Sequence, residues 1–165
     1  MFREPTLEER PARRYVAISE TVAVDTLGPA IGRLTGEVFG WLHSHAIAPD
    51  GPPFVRYLVV DMPKRLEIEV GVPIAAPHPG DQRVAGGELP AGRYATLLHV
   101  GPYPELMAAT GHLLSWAATN GVTWAKTDEP DDERWRARLE FYLTDPQETA
   151  DPQRYETELA FLTEF

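Results

Sequence analysis

The chain contains no cysteine, has fewer basic than acidic residues and lacks any long apolar run. Without cysteine, disulfide bonds, thiolate catalysis and cysteine-ligated zinc sites are excluded. Lysine and arginine total 15 against 25 aspartates and glutamates, which argues against a surface that binds nucleic-acid phosphates. No stretch approaches the roughly 20 apolar residues of a membrane helix, and the charged N-terminus differs from a secretory signal. These absences predict a cytoplasmic protein that binds neither nucleic acid directly nor a membrane.

Fingerprints of metal and cofactor enzymes are also missing. The sequence has no H-E-x-x-H zinc motif, no G-x-S-x-G elbow, no Walker loop and no dinucleotide-binding glycine pattern. His43 and His45 are two residues apart on a predicted helix and cannot share a face. His78 and His112 have no ligand partner at a helpful spacing. We therefore predict no cofactor and no metal site.

The order of the predicted elements indicates an internal repeat. Each half of the 165-residue chain offers a strand, a helix and two further strands. This order predicts an α+β fold of duplicated βαββ units, with an antiparallel sheet, helices on one face and a ligand cleft between the halves. We expect an N-terminal arm at residues 1–14 and one domain at 15–165, with repeats at about 15–74 and 92–165.

The first half contains strongly patterned segments. Alternation and β-branched residues predict strands at Tyr15–Val22, Phe54–Val60 and Arg65–Ile74. Helical spacing of apolar residues predicts a helix from Gly28 to near Ala48. A turn is predicted at residues 62–64.

Glycines recur every four residues within this first helix, at Gly32, Gly36 and Gly40. Glycine lowers helix propensity, so a row of three needs a reason. The spacing predicts a smooth stripe that another backbone approaches closely.

The second half repeats the pattern after a segment rich in proline and glycine, Ala75–Ala91, which we interpret as a linker. The segment Trp124–Arg136 is acidic and mixed, which is typical of a loop. The remaining predicted elements are a helix and three strands: Pro102–Thr119, Arg93–Val100, Arg138–Leu143 and Thr157–Phe165.

Glu140 is the most unusual polar residue. Strand alternation places Glu140 and Tyr142 on the face opposite Leu139 and Phe141, so this face either meets water or lines the cleft. If the last strand pairs with this one, Glu158 converges on the same place. A carboxylate among aromatic rings suits an organic cation, and partial burial would raise its pKa and suit acid–base chemistry. The alternative is a solvated strand residue.

Aromatic residues are plentiful enough to line a cleft. Tyr57 lies on a predicted strand, and Tyr103 lies where a strand turns into a helix. Trp41 and Trp116 lie on apolar helix faces, which favours the core, and a lone strand histidine such as His99 is usually structural. The sequence does not determine whether the side chain of Tyr57 faces the cleft.

Several segments together resemble the GyrI-like small-molecule-binding family, which includes effector-binding domains of AraC-type and multidrug-responsive regulators. They are the strand and turn Gly92–Tyr103, the helix through Trp116 with Asn120-Gly121, the run Glu140–Pro146 and the start of the last strand at Thr157. The first half fits more loosely, through Arg65–Pro73.

The resemblance implies a duplicated βαββ fold whose cleft binds hydrophobic, often cationic aromatic compounds for sensing or sequestration. It implies that Glu140 contacts the cation, and that Tyr57, Tyr103, Tyr142 and Glu158 line the pocket. Regulators of this kind carry a helix-turn-helix segment upstream, for which residues 1–14 are too short. A stand-alone member is therefore expected.

Two alternative functions come with the same resemblance. Some stand-alone members resemble hydrolases that open the cyclopropane of DNA-alkylating drugs. In that case Glu140 and a cleft tyrosine, Tyr103 or Tyr142, would be catalytic. Other members resemble a DNA gyrase inhibitor, which would make this chain a protein-binding module with a partner that the sequence does not identify.

Overall fold

A computed structural model describes residues 3–61 and 64–164. The described residues form ten strands and two α-helices, α1 at Leu27–Ser44 and α2 at Leu106–Thr119. Two residues of the turn predicted at 62–64 lie outside the described residues, and so does the last residue of the final predicted strand, Phe165. The strands are β1 (Thr6–Arg10), β2 (Arg13–Val22), β3 (Phe54–Asp61), β4 (Arg65–Pro73), β5 (Ala85–Leu89), β6 (Gly92–Val100), β7 (Lys126–Asp128), β8 (Glu133–Trp135), β9 (Arg138–Tyr142) and β10 (Glu156–Leu162).

The strands form one antiparallel sheet that curls into a half-barrel, with order β1-β6-β10-β9-β3-β4-β2-β5. The short β7 and β8 form a hairpin attached to β3. The predicted α+β class and antiparallel sheet are confirmed. The two halves of the chain meet where β3 pairs with β9.

The edges of the sheet contain strands that the sequence did not reveal. β1 lies in the predicted arm and pairs with β6, and β5 lies in the predicted linker and pairs with β2. The arm thus extends the sheet beside a strand of the second half, and the linker extends it beside a strand of the first half. The sequence did not predict β5 because its glycines are typical of a linker. In the structure Gly87 allows the strand to pass close to Tyr15, since a Cβ at this position would lie 2.6 Å from the tyrosine ring. The predicted loop Trp124–Arg136 likewise contains β7 and β8.

Both helices pack on one face of the sheet. A row of α1 residues four apart is buried there, with Leu34 and Val38 fully enclosed, and α2 contributes Leu113. Short 3-10 helices at Val24–Thr26 and Tyr103–Glu105 lead into α1 and α2. α1 ends at Ser44 rather than near Ala48. No helix in the described ranges is long and apolar enough to cross a lipid bilayer.

The opposite face of the sheet has its own apolar cluster. The ring of Phe54 lies 5.1 Å from that of Tyr15 and 5.4 Å from that of Phe141. Leu139 and Phe141 of β9 point into this cluster. Since side chains alternate along a strand, Glu140 must face the helices, and this face is therefore covered rather than open to water.

A candidate binding cavity between the helices

A cavity of about 1100 Å³ lies between α1 and α2, above β3 and β9. Its floor is formed by Tyr57 of β3 and by the polar residues of β9, and its walls by apolar residues of both helices such as Ile31 and Met107. This volume matches the clefts in which proteins enclose small organic molecules.

Glu140 lies in the floor of the cavity and is only 8% exposed. The phenol of Tyr57 donates a hydrogen bond to Oε1 of Glu140 at 3.1 Å, and the phenol of Tyr142 donates to the same oxygen at 2.9 Å. The carboxylate is thus held in place through Oε1, and no described residue donates a hydrogen bond to Oε2.

Burial controls the protonation of this cluster. It raises the pKa of Glu140, while the hydrogen bonds from Tyr142 and Tyr57 and the charge of Arg138 act in the opposite direction. Burial also raises the pKa of both phenols well above their ordinary value, and the nearby carboxylate adds to this. The two tyrosines therefore remain hydrogen-bond donors at neutral pH.

Arg138 is a cavity residue that the sequence analysis missed. It lies two residues before Glu140 on the same face of β9. Its guanidinium carbon is 5.6 Å from the ring centre of Tyr57, 4.9 Å from that of Trp135 and 5.0 Å from that of Phe161. The strand alternation that selected Glu140 applied equally to position 138 and could have found it.

Tyr103 lies at the mouth of the cavity with 38% of its surface exposed. Its ring centre is 5.7 Å from that of Tyr142 and 5.2 Å from that of Tyr155. Burial raises its pKa. No hydrogen bond within the described ranges joins its phenol to Glu140. The structure thus brings Tyr57, Tyr103 and Tyr142 to one cavity but gives them different relations to the carboxylate.

Glu158 does not join this group. β10 pairs Leu159 with Glu140 and Glu158 with Phe141, which puts Glu158 on the opposite face of the sheet. There it lies 2.9 Å from Nη2 of Arg10 and lines a second cavity of about 400 Å³. The expected convergence with Glu140 fails because it depended on the register, which a one-residue shift reverses.

The glycine row of α1 has a different setting from the one predicted. Of the predicted stripe, Gly32 and Gly36 line the cavity together with Gly28, whereas Gly40 does not. A Cβ at any of these four glycines would have no atom within 4 Å, so no other backbone among the described residues approaches the stripe closely. The missing side chains instead add width to the cavity.

The histidines take no part in the cavity. His99 is fully buried, with Nε2 3.1 Å from Oε1 of Glu105, and neither residue is among those lining the cavity. Within the described part of the chain, no group of three or more His, Asp or Glu side chains could hold a metal ion.

The chain belongs to the GyrI-like family, because the model of the GyrI-like small-molecule-binding domain matches residues 3–162. No curated protein matches the sequence. The resemblance stated from the sequence is therefore confirmed at the level of the family.

Solved structures share the fold at low sequence identity. EcmrR in complex with DNA matches with a TM-score of 0.82 at 18% identity, over 99% of this chain and 57% of EcmrR. This chain thus spans little more than half of that protein. The isolated EcmrR C-terminal domain matches with a TM-score of 0.68 at 20% identity, over 98% of this chain and 97% of that domain. SAV2435 bound to tetraphenylphosphonium matches with a TM-score of 0.61 at 12% identity, over 98% of this chain and 94% of SAV2435. A hydrolase from Listeria innocua matches with a TM-score of 0.63 at 16% identity, over 98% of this chain and 92% of that one.

Proposed function

We propose that this GyrI-like protein binds hydrophobic, often cationic aromatic molecules in the cavity above β9, as a cytoplasmic sensor or sequestering protein. The observation that carries the proposal is the state of Glu140. Its carboxylate is buried in an apolar cavity, is held at Oε1 by two phenols and has Oε2 without a hydrogen bond from the described residues. An organic cation would add a positive charge in direct contact with Oε2, and the surrounding rings would add cation–π contact.

The surroundings of the carboxylate support a large aromatic ligand. The cavity volume of about 1100 Å³ exceeds what a single amine or metal ion needs. The ring of Tyr103 at the mouth meets that of Tyr142 edge to face, an arrangement that leaves a ring face available for stacking. SAV2435, which shares this fold, was solved with tetraphenylphosphonium, a bulky aromatic cation.

The proposal is tested by Glu140→Gln, which keeps the shape of the side chain and removes its charge. A hydrogen bond to a charged group contributes about 1.5–3 kcal/mol. Since 1.4 kcal/mol corresponds to a tenfold change, the affinity for cationic dyes should fall roughly 10- to 100-fold in fluorescence titrations. Affinity for neutral aromatic dyes should change little.

The matched control is Glu158→Gln, which removes a half-buried carboxylate from the opposite face of the same sheet. It should leave the affinity for cations unchanged. Equal cation affinity of the wild type and Glu140→Gln would remove Glu140 as the charge partner. If neither protein binds any dye, the binding function itself is wrong.

A hydrolase acting in the same cavity is the second candidate. A carboxylate whose pKa is raised by burial is a stronger general base. The raised pKa of the Tyr103 and Tyr142 phenols keeps them protonated at neutral pH, so that each holds a proton to donate. With a cyclopropane-bearing alkylating drug as substrate, Glu140 would take a proton from a water molecule while the oxygen of that water attacks the strained ring carbon. The electrons of the broken C–C bond would move onto the conjugated carbonyl, where Tyr103 or Tyr142 would supply a proton.

Turnover and binding are separated by incubating the protein with such a drug and analysing the mixture by mass spectrometry. An enzyme would yield a product heavier by one water, and Glu140→Gln and Tyr103→Phe would each slow its formation. Unchanged drug, recovered from a protein that binds it, would restrict the function to binding.

A further inference from the structure

The cavity contains a second charged group, Arg138, besides Glu140. Its guanidinium is surrounded by the rings of Tyr57, Trp135 and Phe161, with distances of 4.9 to 5.6 Å to the ring centres. Nε is buried and has no hydrogen-bond partner. Among the residues that the structure describes, no hydrogen bond is donated by either Nη atom and no carboxylate lies within ion-pair distance, although the charges of Glu140 and Glu133 act on the group.

This arrangement leaves hydrogen-bonding capacity unused. A guanidinium has five N–H donors, and aromatic rings stabilise its charge through their faces without accepting those bonds as an oxygen would. Arg56 of the neighbouring strand β3 differs from Arg138, although its buried Nε also has no partner. Its Nη atoms donate to the phenol of Tyr15 at 2.8 Å and to the carbonyl of Arg136 at 2.6 Å. Arg138 is thus fixed by the rings while its donors remain unpaired inside a ligand-sized cavity.

We propose that Arg138 is a second anchor of the cavity, which binds an anionic or strongly accepting group of the ligand while Glu140 binds its cationic group. This inference rests on the proposed binding function and names the ligand class. Residues two apart on one strand face are about 7 Å apart. The preferred ligands are therefore aromatic zwitterions, or cations with a carboxylate, sulfonate or carbonyl about that distance from the positive centre.

The charges on the floor of the cavity favour the same class of ligand. Glu140 and Arg138 have opposite charges and share the ring of Tyr57, which hydrogen-bonds the first and covers the second. A simple monocation is attracted by one of them and repelled by the other. A zwitterion in the right orientation is attracted by both, so Arg138 should discriminate between the two kinds of ligand.

The test uses two dyes that differ in one group. Rhodamine 19 carries a xanthene cation and a free carboxylate, and rhodamine 6G is its ethyl ester and a monocation. Both are titrated into the protein by isothermal titration calorimetry at neutral pH. The wild type should bind the zwitterion at least as tightly as the ester. In Arg138→Met the ratio of the two affinities should shift at least tenfold in favour of the ester.

Two further variants sharpen the comparison. Arg138→Lys keeps the charge and loses the planar fork, so its ratio should lie between those of the wild type and Arg138→Met. Arg134→Met removes an exposed arginine that pairs with Asp132 and lies outside the cavity, and it should keep the wild-type ratio. The ratio within one variant does not depend on the fraction of folded protein, so partial misfolding cannot imitate the effect.

The outcomes distinguish the two proposals. If Arg138→Met binds both dyes with the wild-type ratio, Arg138 is not an anchor, and the binding function stands without it. If the wild type strongly prefers the ester, the inferred ligand class is wrong although the cavity binds cations. If the wild type binds neither dye, the proposed function fails and the inference fails with it.

Discussion

Replacing single glycines of α1 should separate the stability of the protein from its capacity to bind. Gly36 and Gly40 both lie inside the helix, and a Cβ at either position would have no atom within 4 Å. They differ in one respect, since Gly36 lines the cavity and Gly40 does not. This makes the second a matched control for the first.

The expected gain in stability follows from helix propensity alone. Alanine is about 0.8–1 kcal/mol more favourable than glycine inside a helix, and no neighbouring atom offsets this gain. For a domain of 165 residues, Gly36→Ala and Gly40→Ala should each raise the melting temperature by roughly 2–4 °C. Thermal unfolding followed by circular dichroism measures the shift.

The effect on binding should appear only with a large side chain at the cavity. Gly36→Phe places a ring in the space that a ligand would occupy, so we expect at least a tenfold loss of dye affinity by calorimetry. Gly40→Phe should bind like the wild type. If both phenylalanine variants bind alike, or if Gly36→Ala lowers the melting temperature, then the glycine row serves close packing and does not widen the cavity.

Four further outcomes follow from the contacts of the site and core. Cation affinity should fall on acidification through the raised pKa of Glu140, at a higher pH than for an exposed carboxylate, because the protonated group is neutral. Tyr57→Phe removes a hydrogen bond that lowers this pKa, so in calorimetry across mildly acidic pH the loss should begin at higher pH. Because its pKa is raised, Glu140 holds its proton more tightly in the native state than in the unfolded chain, so it stabilises the fold most at low pH. This contribution disappears as the pH rises through the folded-state pKa of Glu140. In urea unfolding, Glu140→Gln should therefore gain stability relative to the wild type as the pH rises. Leu34→Ala empties a fully buried position between α1 and the sheet and should cost about 2–5 kcal/mol in urea unfolding, and a cost below 1 kcal/mol would show that the position is loosely packed.

Periodicity alone was enough to find the residues of the central strands. Alternation in β9 placed Glu140 and Tyr142 on one face and Leu139 and Phe141 on the other, and the structure has them so. Such strands bury one face against a core, so each apolar position adds to the same pattern. β1, by contrast, is almost wholly exposed, and an edge strand held by backbone hydrogen bonds has no apolar pattern to detect.

Properties that depend on partners could not be obtained from one strand at a time. The position of Glu158 follows from its pairing with Phe141 in β9, and no sequence pattern within β10 determines that register. The role of Gly87 follows from the ring of Tyr15 beside it. Alternation in β9 already placed Arg138 on the face of Glu140. Its setting among aromatic rings could not be predicted in the same way, because Tyr57 and Phe161 come from other strands.

The pairing of β3 with β9 makes the candidate site dependent on both halves of the chain. Tyr57 belongs to the first half and Glu140 to the second, and the amide of Tyr142 donates to the carbonyl of Pro53 at 2.9 Å across the same junction. Neither half alone could assemble the carboxylate with both phenols. A ligand at 100 times its dissociation constant therefore adds about 2.7 kcal/mol to the free energy needed to separate the halves, and amide hydrogen exchange at this junction would slow accordingly. Ligand binding in the cavity and folding of the two halves of the chain onto each other would in this way be coupled in one equilibrium.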